Sequence, residues 1–288
     1  MRYVTFEHGG RVRPGLLDGD GVSPLLGCRT LLDFVRLAEA DRAAVLHEAP
    51  LPLAEVRLLA PLRPHKNVFC VGRNYLGHAE EIARARGTEL KLPPVPTFFT
   101  KAPTAIADPE QTVHFDGALS TQYDWEAELA VVIGTRCKDV SEADALGVIF
   151  GYTCLNDLTA RDLQQLHGQW FKGKSLDESA PLGPWVVSAD EIPDPQALQV
   201  SLRVNGVVKQ QAPTAQMIFS VAAIVASLSR GLTLEPGDII ATGTPDGVGF
   251  ARTPPEFLRD GDTVEVDISG IGVLRNAIAV GAPVTAPA

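Results

Sequence analysis

From about residue 63 onward, apolar and polar residues alternate with a period near two, the pattern of strands that bury one face. The segments "PTFFTK", "EAELAVVIG", "GVIFGYTCL", "GPWVVS", "LQVSLRVNGVVKQ", "DIIATGTP" and "DTVEVDISGIGVLRNAIAV" carry the β-branched and aromatic residues that suit a pleated surface, and each is bounded by Gly, Pro or Asp. Asn205-Gly206 between valines predicts a tight hairpin, and Gly270-Ile271-Gly272 a second. Helical spacing is confined to "TLLDFVRLAEADRAAVLHEA", "YLGHAEEIARARG", "SEADALG", "TARDLQQLH" and "MIFSVAAIVASLS". The pattern predicts a strand-dominated α+β fold without regular βαβ alternation. Residues 1–62, with short strands, Gly-Gly and Asp-Gly turns and one helical stretch, form a small N-terminal α/β unit. The prolines of "APLRPHK" then mark the passage to a larger unit, 63–288.

Composition narrows the function. The chain has 288 residues, enough for a sizeable core, and its 45% hydrophobic and 21% charged content is that of a globular protein. A formal charge of −10 opposes binding to phosphate backbones and anionic lipid, so neither nucleic acid nor membrane is an expected partner. Cys28, Cys70, Cys137 and Cys154 form no CxxC pair, which speaks against a zinc ribbon or a disulfide framework and suits a reducing compartment. With no apolar leader pattern and no run long enough to span a bilayer, the expected location is the cytoplasm.

The string "GQWFKGKS" (168–175) fits the phosphate-loop pattern G-x-x-x-x-G-K-[ST] letter for letter. Its context does not. A phosphate loop follows a strand, has small residues inside and opens a helix. Here a polar helical stretch precedes, Gln-Trp-Phe-Lys fills the loop, and "LDESAPLGPW" follows with two prolines. Lys174 needs another role.

Carboxylates offer one. In "DWEAELAVVIG", strand periodicity puts Glu126 and Glu128 on one face, together with Ala130 and Val132. Two carboxylates on a buried face repel each other and lose hydration, costs that a divalent cation would relieve; an exposed acidic edge strand is the plainer alternative. Asp157 follows where the strand of "GYTCLND" ends, placed either to cap a helix or to supply a third oxygen ligand. Asp124 shares the parity of the two glutamates and could support them. Oxygen ligands without a His/Cys cluster suit Mg²⁺ or Mn²⁺ better than zinc. On the helix of "GRNYLGHAEEIARARG", His78 and Glu81 stand at i,i+3, the spacing of a carboxylate-oriented general base as well as of an ordinary solvated helix face. Arg73 and Tyr75 just before it could meet an anionic substrate. His8, His47, His65, His114 and His167 have no matching partner in sequence.

The motifs "VGRNYLGHAEE", "DWEAELAVVIG", "GYTCLNDLTARDLQ", "WFKGKSLDESAPLGPWVV" and "GDIIATGTPDGVG", in this order, resemble the fumarylacetoacetate hydrolase superfamily, and the similarity runs from about residue 67 to the end. The 2-hydroxyhepta-2,4-diene-1,7-dioate isomerase and acylpyruvase-like branch is the one they look most like. The resemblance implies a mixed β-roll domain, a homodimer, and one Mg²⁺ or Mn²⁺ per subunit on Glu126, Glu128 and Asp157. It implies a His78–Glu81 dyad on a lid segment, Lys174 facing a substrate oxyanion, and Gln164 and Thr244 in contact with substrate. Arg73, Tyr75 and Gln169 complete the expected substrate contacts, with Trp170 and Lys172 as further wall residues.

The chemistry that follows is enolate chemistry on a small keto or diketo acid. The favoured expectation is hydrolytic C–C cleavage of a 2,4-diketo acid of the acylpyruvate or fumarylpyruvate type, with His78 and Glu81 activating water. The same residues without the water suit decarboxylation of oxaloacetate or isomerisation of a 2-hydroxydienoate. A keto-acid-binding protein without turnover is the non-enzymatic alternative.

Overall fold

Strand Ala127–Ile133 is buried at every position and lies at the centre of the fold. In the computed structural model, which describes residues 1–281, it pairs antiparallel with Ile149–Asn156 on one side and Ile239–Ala241 on the other. The large sheet continues outward through Ala180–Ser188 in one direction, and through Val68–Gly72 and Thr97–Lys101 in the other. Ile239–Ala241 and Val68–Gly72 run parallel, so the sheet is mixed.

The two faces of the central strand meet different cores. Leu129 and Val131 join the cluster of Val200, Leu202, Val264 and Val266, which belongs to a second, five-stranded sheet. Ala130 and Val132 join Leu31, Phe34, Phe150 and Leu182. A strand covered on both sides needs apolar residues at every position, which explains the run AVVI after the alternation ends. Glu126 and Glu128 keep the parity of Ala130 and Val132 at the end of this strand, where the sheet opens into a cleft.

Residues 1–62 extend the same sheet. Arg2–His8 pairs antiparallel with Ala180–Ser188, in register Arg2↔Val187, and the strands Arg11–Asp18 and Gly21–Pro24 follow outward. Sheet and core thus run across the passage at residues 60–66.

Most sequence expectations for elements are met, with three differences. The helical stretch in the N-terminal unit is two short helices, Leu31–Val35 and Glu39–Ala43; the first is closed by a capping box between Thr30 and Asp33. "SEADALG" forms only a 3₁₀ turn, Ala145–Val148. The apolar helix begins at Val221, not Met217, because Ser220 caps it by accepting from the Ala223 N–H at 3.1 Å. The Asn205-Gly206 hairpin has both residues at positive φ (52° and 76°), the geometry of a type I′ turn. No helix among the described residues is long and apolar enough to cross a membrane.

Candidate active site

Glu126, Glu128 and Asp157 converge at the floor of the cleft. One oxygen from each lies within 4.8 Å of the others, and all three residues are buried. Asp157 is not a helix cap: the strand ends at Asn156, and the next helix, Arg161–Leu166, starts four residues after Asp157 with Ala160 at its N-cap. Its backbone N–H donates to the Glu126 carbonyl at 2.8 Å, which ties the third carboxylate to the first strand.

Each carboxylate is held by donors. Lys174 Nζ donates to Glu126 Oε2 (2.6 Å) and Asp157 Oδ2 (2.7 Å), and Lys101 Nζ donates to Asp157 Oδ1 (2.7 Å). Arg161 bridges Glu126 Oε1 (2.7 Å) and Asp124 Oδ2 (2.8 Å). Glu128 accepts the Gly243 N–H at 2.8 Å. Burial works against the charge of Glu126, yet Lys174 and Arg161 hold its carboxyl down to about 2. Glu128 lacks such a cation; burial, then the charges of Asp157 and Glu126, push it well above the ordinary value. Burial lowers Lys174, but Asp157 and Glu126 more than offset this and keep it an ammonium ion.

The donor set fits a hard divalent cation. Four buried carboxylates (Asp124, Glu126, Glu128, Asp157) face three buried cations (Lys101, Arg161, Lys174), leaving one negative charge uncompensated in a low-dielectric site. All the converging atoms are carboxylate oxygens, the ligands Mg²⁺ and Mn²⁺ take. Glu128, raised by its neighbours' charges, is the group a cation would most relieve.

A proton-transferring pair stands across the cleft. His78 Nδ1 lies 2.7 Å from Glu81 Oε1 on helix Leu76–Arg86, and the second Glu81 oxygen accepts the Gly247 N–H at 2.8 Å. With Nδ1 taken by the carboxylate, Nε2 is the nitrogen left for a substrate. The turn before this helix is pinned by Asn74, whose amide donates to the carbonyls of Phe219 (3.0 Å) and Thr242 (2.8 Å) and accepts from the Phe219 N–H (2.8 Å).

The motif "ATGTPDGVG" is a strip of backbone donors. Gly243 holds Glu128, Gly247 holds Glu81, and Gly249 with Phe250 holds Asp124 at 2.7 and 3.0 Å. One loop thereby fixes a floor carboxylate, the dyad carboxylate and the carboxylate behind Arg161. Gly247 has φ 102°, and a Cβ there would sit 2.0 Å from the Lys209 carbonyl oxygen, so no other residue fits.

The carboxylate floor and His78 border one small cleft. Arg73, His78, Gln164, Lys174 and Thr244 line it, with Glu126 and Glu128 below and Trp170 as a wall. Two expected substrate contacts are not there. Tyr75 is buried behind the cleft, its hydroxyl without a hydrogen-bond partner, its phenol pushed up by burial and then by Glu128. Gln169 is exposed, beyond the turn that Gly168 makes at φ 68°; Lys172 is likewise on the surface. Lys174 lines the cleft, and its charge is engaged by two carboxylates at the floor. Sequence reasoning singled out neither Lys101, Arg161 nor Asn74. Arg161 and Asn74 lie inside quoted motifs, Arg161 four residues after Asp157, where a buried acidic cluster needs cations; Lys101 carries no local signal.

Gly173 in the G-K-S string has a packing role. A Cβ there would lie 2.4 Å from the Gln164 nitrogen and 2.7 Å from the Ala160 carbonyl oxygen, so the short helix Phe171–Lys174 can press against the backbone before and within Arg161–Leu166 only with glycine. That contact delivers Lys174 to the floor.

Comparison with known proteins agrees with this architecture. A family model described as fumarylacetoacetate (FAA) hydrolase C-terminal matches residues 67–279, and one described as Rv2993c-like, N-terminal matches residues 1–61. Oxaloacetate tautomerase YisK of Bacillus subtilis (strain 168) is 47% identical over 227 residues, covering 78% of this chain and 74% of that protein. The mitochondrial oxaloacetate tautomerase Fahd2a of Rattus norvegicus is 38% identical, over 96% of this chain and 87% of its own. Among solved structures, fumarylacetoacetate hydrolase from Exiguobacterium antarcticum superposes with a TM-score of 0.83 at 39% identity, over 98% of this chain and all of that one (100%).

Proposed function

The chain belongs to the fumarylacetoacetate hydrolase family, and on that premise we propose that it is a divalent-metal-dependent tautomerase of an oxaloacetate-type 2-keto acid. The observation that carries this reading is the His78–Glu81 pair, 2.7 Å apart, on the same cleft as a buried carboxylate triad. The names of the 47% and 38% identical relatives support the substrate class.

Glu126, Glu128 and Asp157 would hold the cation, Mg²⁺ or Mn²⁺, which when bound supplies Lewis acidity that stabilises enolate charge. The chain's own residues do the rest. His78 Nε2 takes the proton from C3 of the keto form, and Glu81 stabilises the imidazolium and fixes its orientation. The imidazolium returns that proton to the enolate oxygen, so the reaction is an isomerisation and consumes no co-reactant. Arg161 and Lys101 hold the floor carboxylates in place, and Lys174 adds positive charge beside the reacting oxygen.

Hydrolysis of an acylpyruvate is a second reading. It is favoured by the same dyad, which could activate water in place of a C–H bond, and by the name of the 39% identical structure. Product analysis separates the two. Protein loaded with Mg²⁺ or Mn²⁺ is given oxaloacetate or an acylpyruvate, and pyruvate release is followed. Tautomerisation predicts no pyruvate above background from either; stoichiometric, chelator-sensitive pyruvate from an acylpyruvate would replace this reading with hydrolysis, and pyruvate from oxaloacetate with decarboxylation.

A further inference from the structure

Arg73 and Arg86 have no part in holding the carboxylate floor or the dyad. Both line the cleft, and among the described residues neither forms an ion pair or a side-chain hydrogen bond. Arg73 Nε is fully buried without a partner. Its guanidinium lies over the Trp170 ring, 5.6 Å from the centroid, and Trp170 packs edge-on against Phe99 at 5.3 Å. Gly72 makes room for this wall, since a Cβ there would meet the indole at 2.3 Å. Arg73 also holds a left-handed backbone (φ 57°), a conformation that persists for a bulky residue only where its surroundings impose it.

Arg86 stands at the neck. Together with Gln164 and Trp170 it borders both the inner cleft and the outer basin beyond it. Burial, then repulsion from Arg73 and Arg161, lowers its affinity for a proton, so the Arg86 guanidinium faces two like charges at this opening. Arg161 is neutralised by Asp124 and Glu126; the other two are not. A helix C-terminus favours an arginine such as Arg86, but that alone does not account for its facing two like charges over a cleft. Uncompensated cations around a pocket whose floor would hold a cation call for an anion at each end of the ligand. Guanidinium forks match a carboxylate best.

We propose that Arg86 and Arg73 form a subsite for the distal carboxylate of a 2-keto dicarboxylic acid, Arg86 setting the preference for dianionic over monoanionic substrates. The inference rests on the proposed reading of the cleft. The keto-acid end lies at the carboxylate floor, the chain passes Trp170, and the far carboxylate reaches the guanidiniums at the neck. Substrates with a neutral distal end leave both arginines unpaired.

The test compares calorimetric binding of malate and of lactate to the Mg²⁺-loaded protein. These two hydroxy acids share one end and differ by the distal carboxylate. The wild type is expected to prefer malate by at least about tenfold, a preference worth about 1.4 kcal/mol. Arg86→Gln is expected to remove most of it while leaving lactate binding within about twofold, and Arg86→Lys to keep part of it. Arg86 is exposed at the end of its helix, and an unchanged melting temperature verifies folding of each variant. Equal weakening of malate and lactate in Arg86→Gln, or no preference in the wild type, would overturn the proposal. Arg86-dependent malate preference without oxaloacetate turnover would sustain the subsite and refute the tautomerase; turnover with an unaltered preference in Arg86→Gln would do the reverse.

Discussion

Glu81 divides its oxygens between His78 and the Gly247 N–H, and neither is directed at the carboxylate floor. Replacing it with Gln should cut turnover about 100-fold through loss of imidazolium stabilisation. Affinity for Mg²⁺, measured by calorimetry, should stay within about twofold; a large loss of metal affinity would move Glu81 into the ligand set. Glu126 makes a second prediction. Its carboxyl is held near 2, below the ordinary 4.5, by Lys174 and Arg161 against the opposing effect of burial. A depressed acid stabilises the fold fully above its unfolded value and loses that contribution as pH falls from about 4.5 to about 2. In chelator, Lys174→Met should therefore shift the acid-unfolding midpoint, followed by circular dichroism, to higher pH; an unchanged midpoint would show that this pair does not stabilise the fold. The acidic residues and the dyad were legible because E-x-E on a strand and H-x-x-E on a helix are patterns of periodicity. Lys101 was not: a lone lysine at the end of "PTFFTK" acquires meaning only when Thr97–Lys101 is laid beside Val68–Gly72 and its ammonium reaches Asp157.

At the level of elements, Gly173 and the Gly-rich loop at 243–250 carry the geometry. Helix Phe171–Lys174 reaches the floor because Gly173 lets it touch the backbone at Ala160 and Gln164. Gly173→Ala should destabilise the fold by about 1–3 kcal/mol in denaturant unfolding and displace Lys174 with its helix. Unaltered stability and activity would show that the contact can relax freely. The string G-K-S does not reveal this reason: the atoms that crowd Gly173 belong to the preceding helix and the residue before it, whose approach no local pattern encodes. The loop at 243–250 is similar. Its Gly-rich string reads as turns, whereas its function is to aim N–H groups at Glu128, Glu81 and Asp124, residues distant in sequence. The broken helix has a local cause: residues 30–49 keep helical spacing, but each segment is only five residues long, too short to hold by propensity; Leu31–Val35 is packed through Leu31, Leu32, Phe34 and Val35, whereas Glu39–Ala43 buries no residue.

Across the molecule, the first strand is an integral part of the large sheet. Arg2–His8 covers the edge of Ala180–Ser188, and Leu31 and Phe34 fill the core beneath Ala130 and Val132. Removing residues 1–61 would expose that strand edge and that apolar face, so the remainder should aggregate or melt at a markedly lower temperature than the full chain. A truncated protein with the full chain's melting temperature would contradict this. The sequence pattern suggests a small N-terminal unit and a strand-rich remainder but carries no sign of the sheet that spans both, because pairing of residue 2 with residue 187 is set by the whole fold. The cleft is set at the same scale: floor, dyad and neck come from segments spread between residues 73 and 250, and only their assembly brings these groups together. In the proposed reaction the dyad moves a proton on a substrate held over a cation-loaded carboxylate floor. The most direct test dissolves oxaloacetate as its enol and follows its ultraviolet absorbance as it converts to the ketone, with metal-loaded wild type, with chelator, and with Glu81→Gln. The account predicts strong acceleration by the loaded wild type, reduced about 100-fold in Glu81→Gln and abolished by chelator. Conversion at the uncatalysed rate with loaded wild type, or acceleration that survives both chelator and Glu81→Gln, would contradict it.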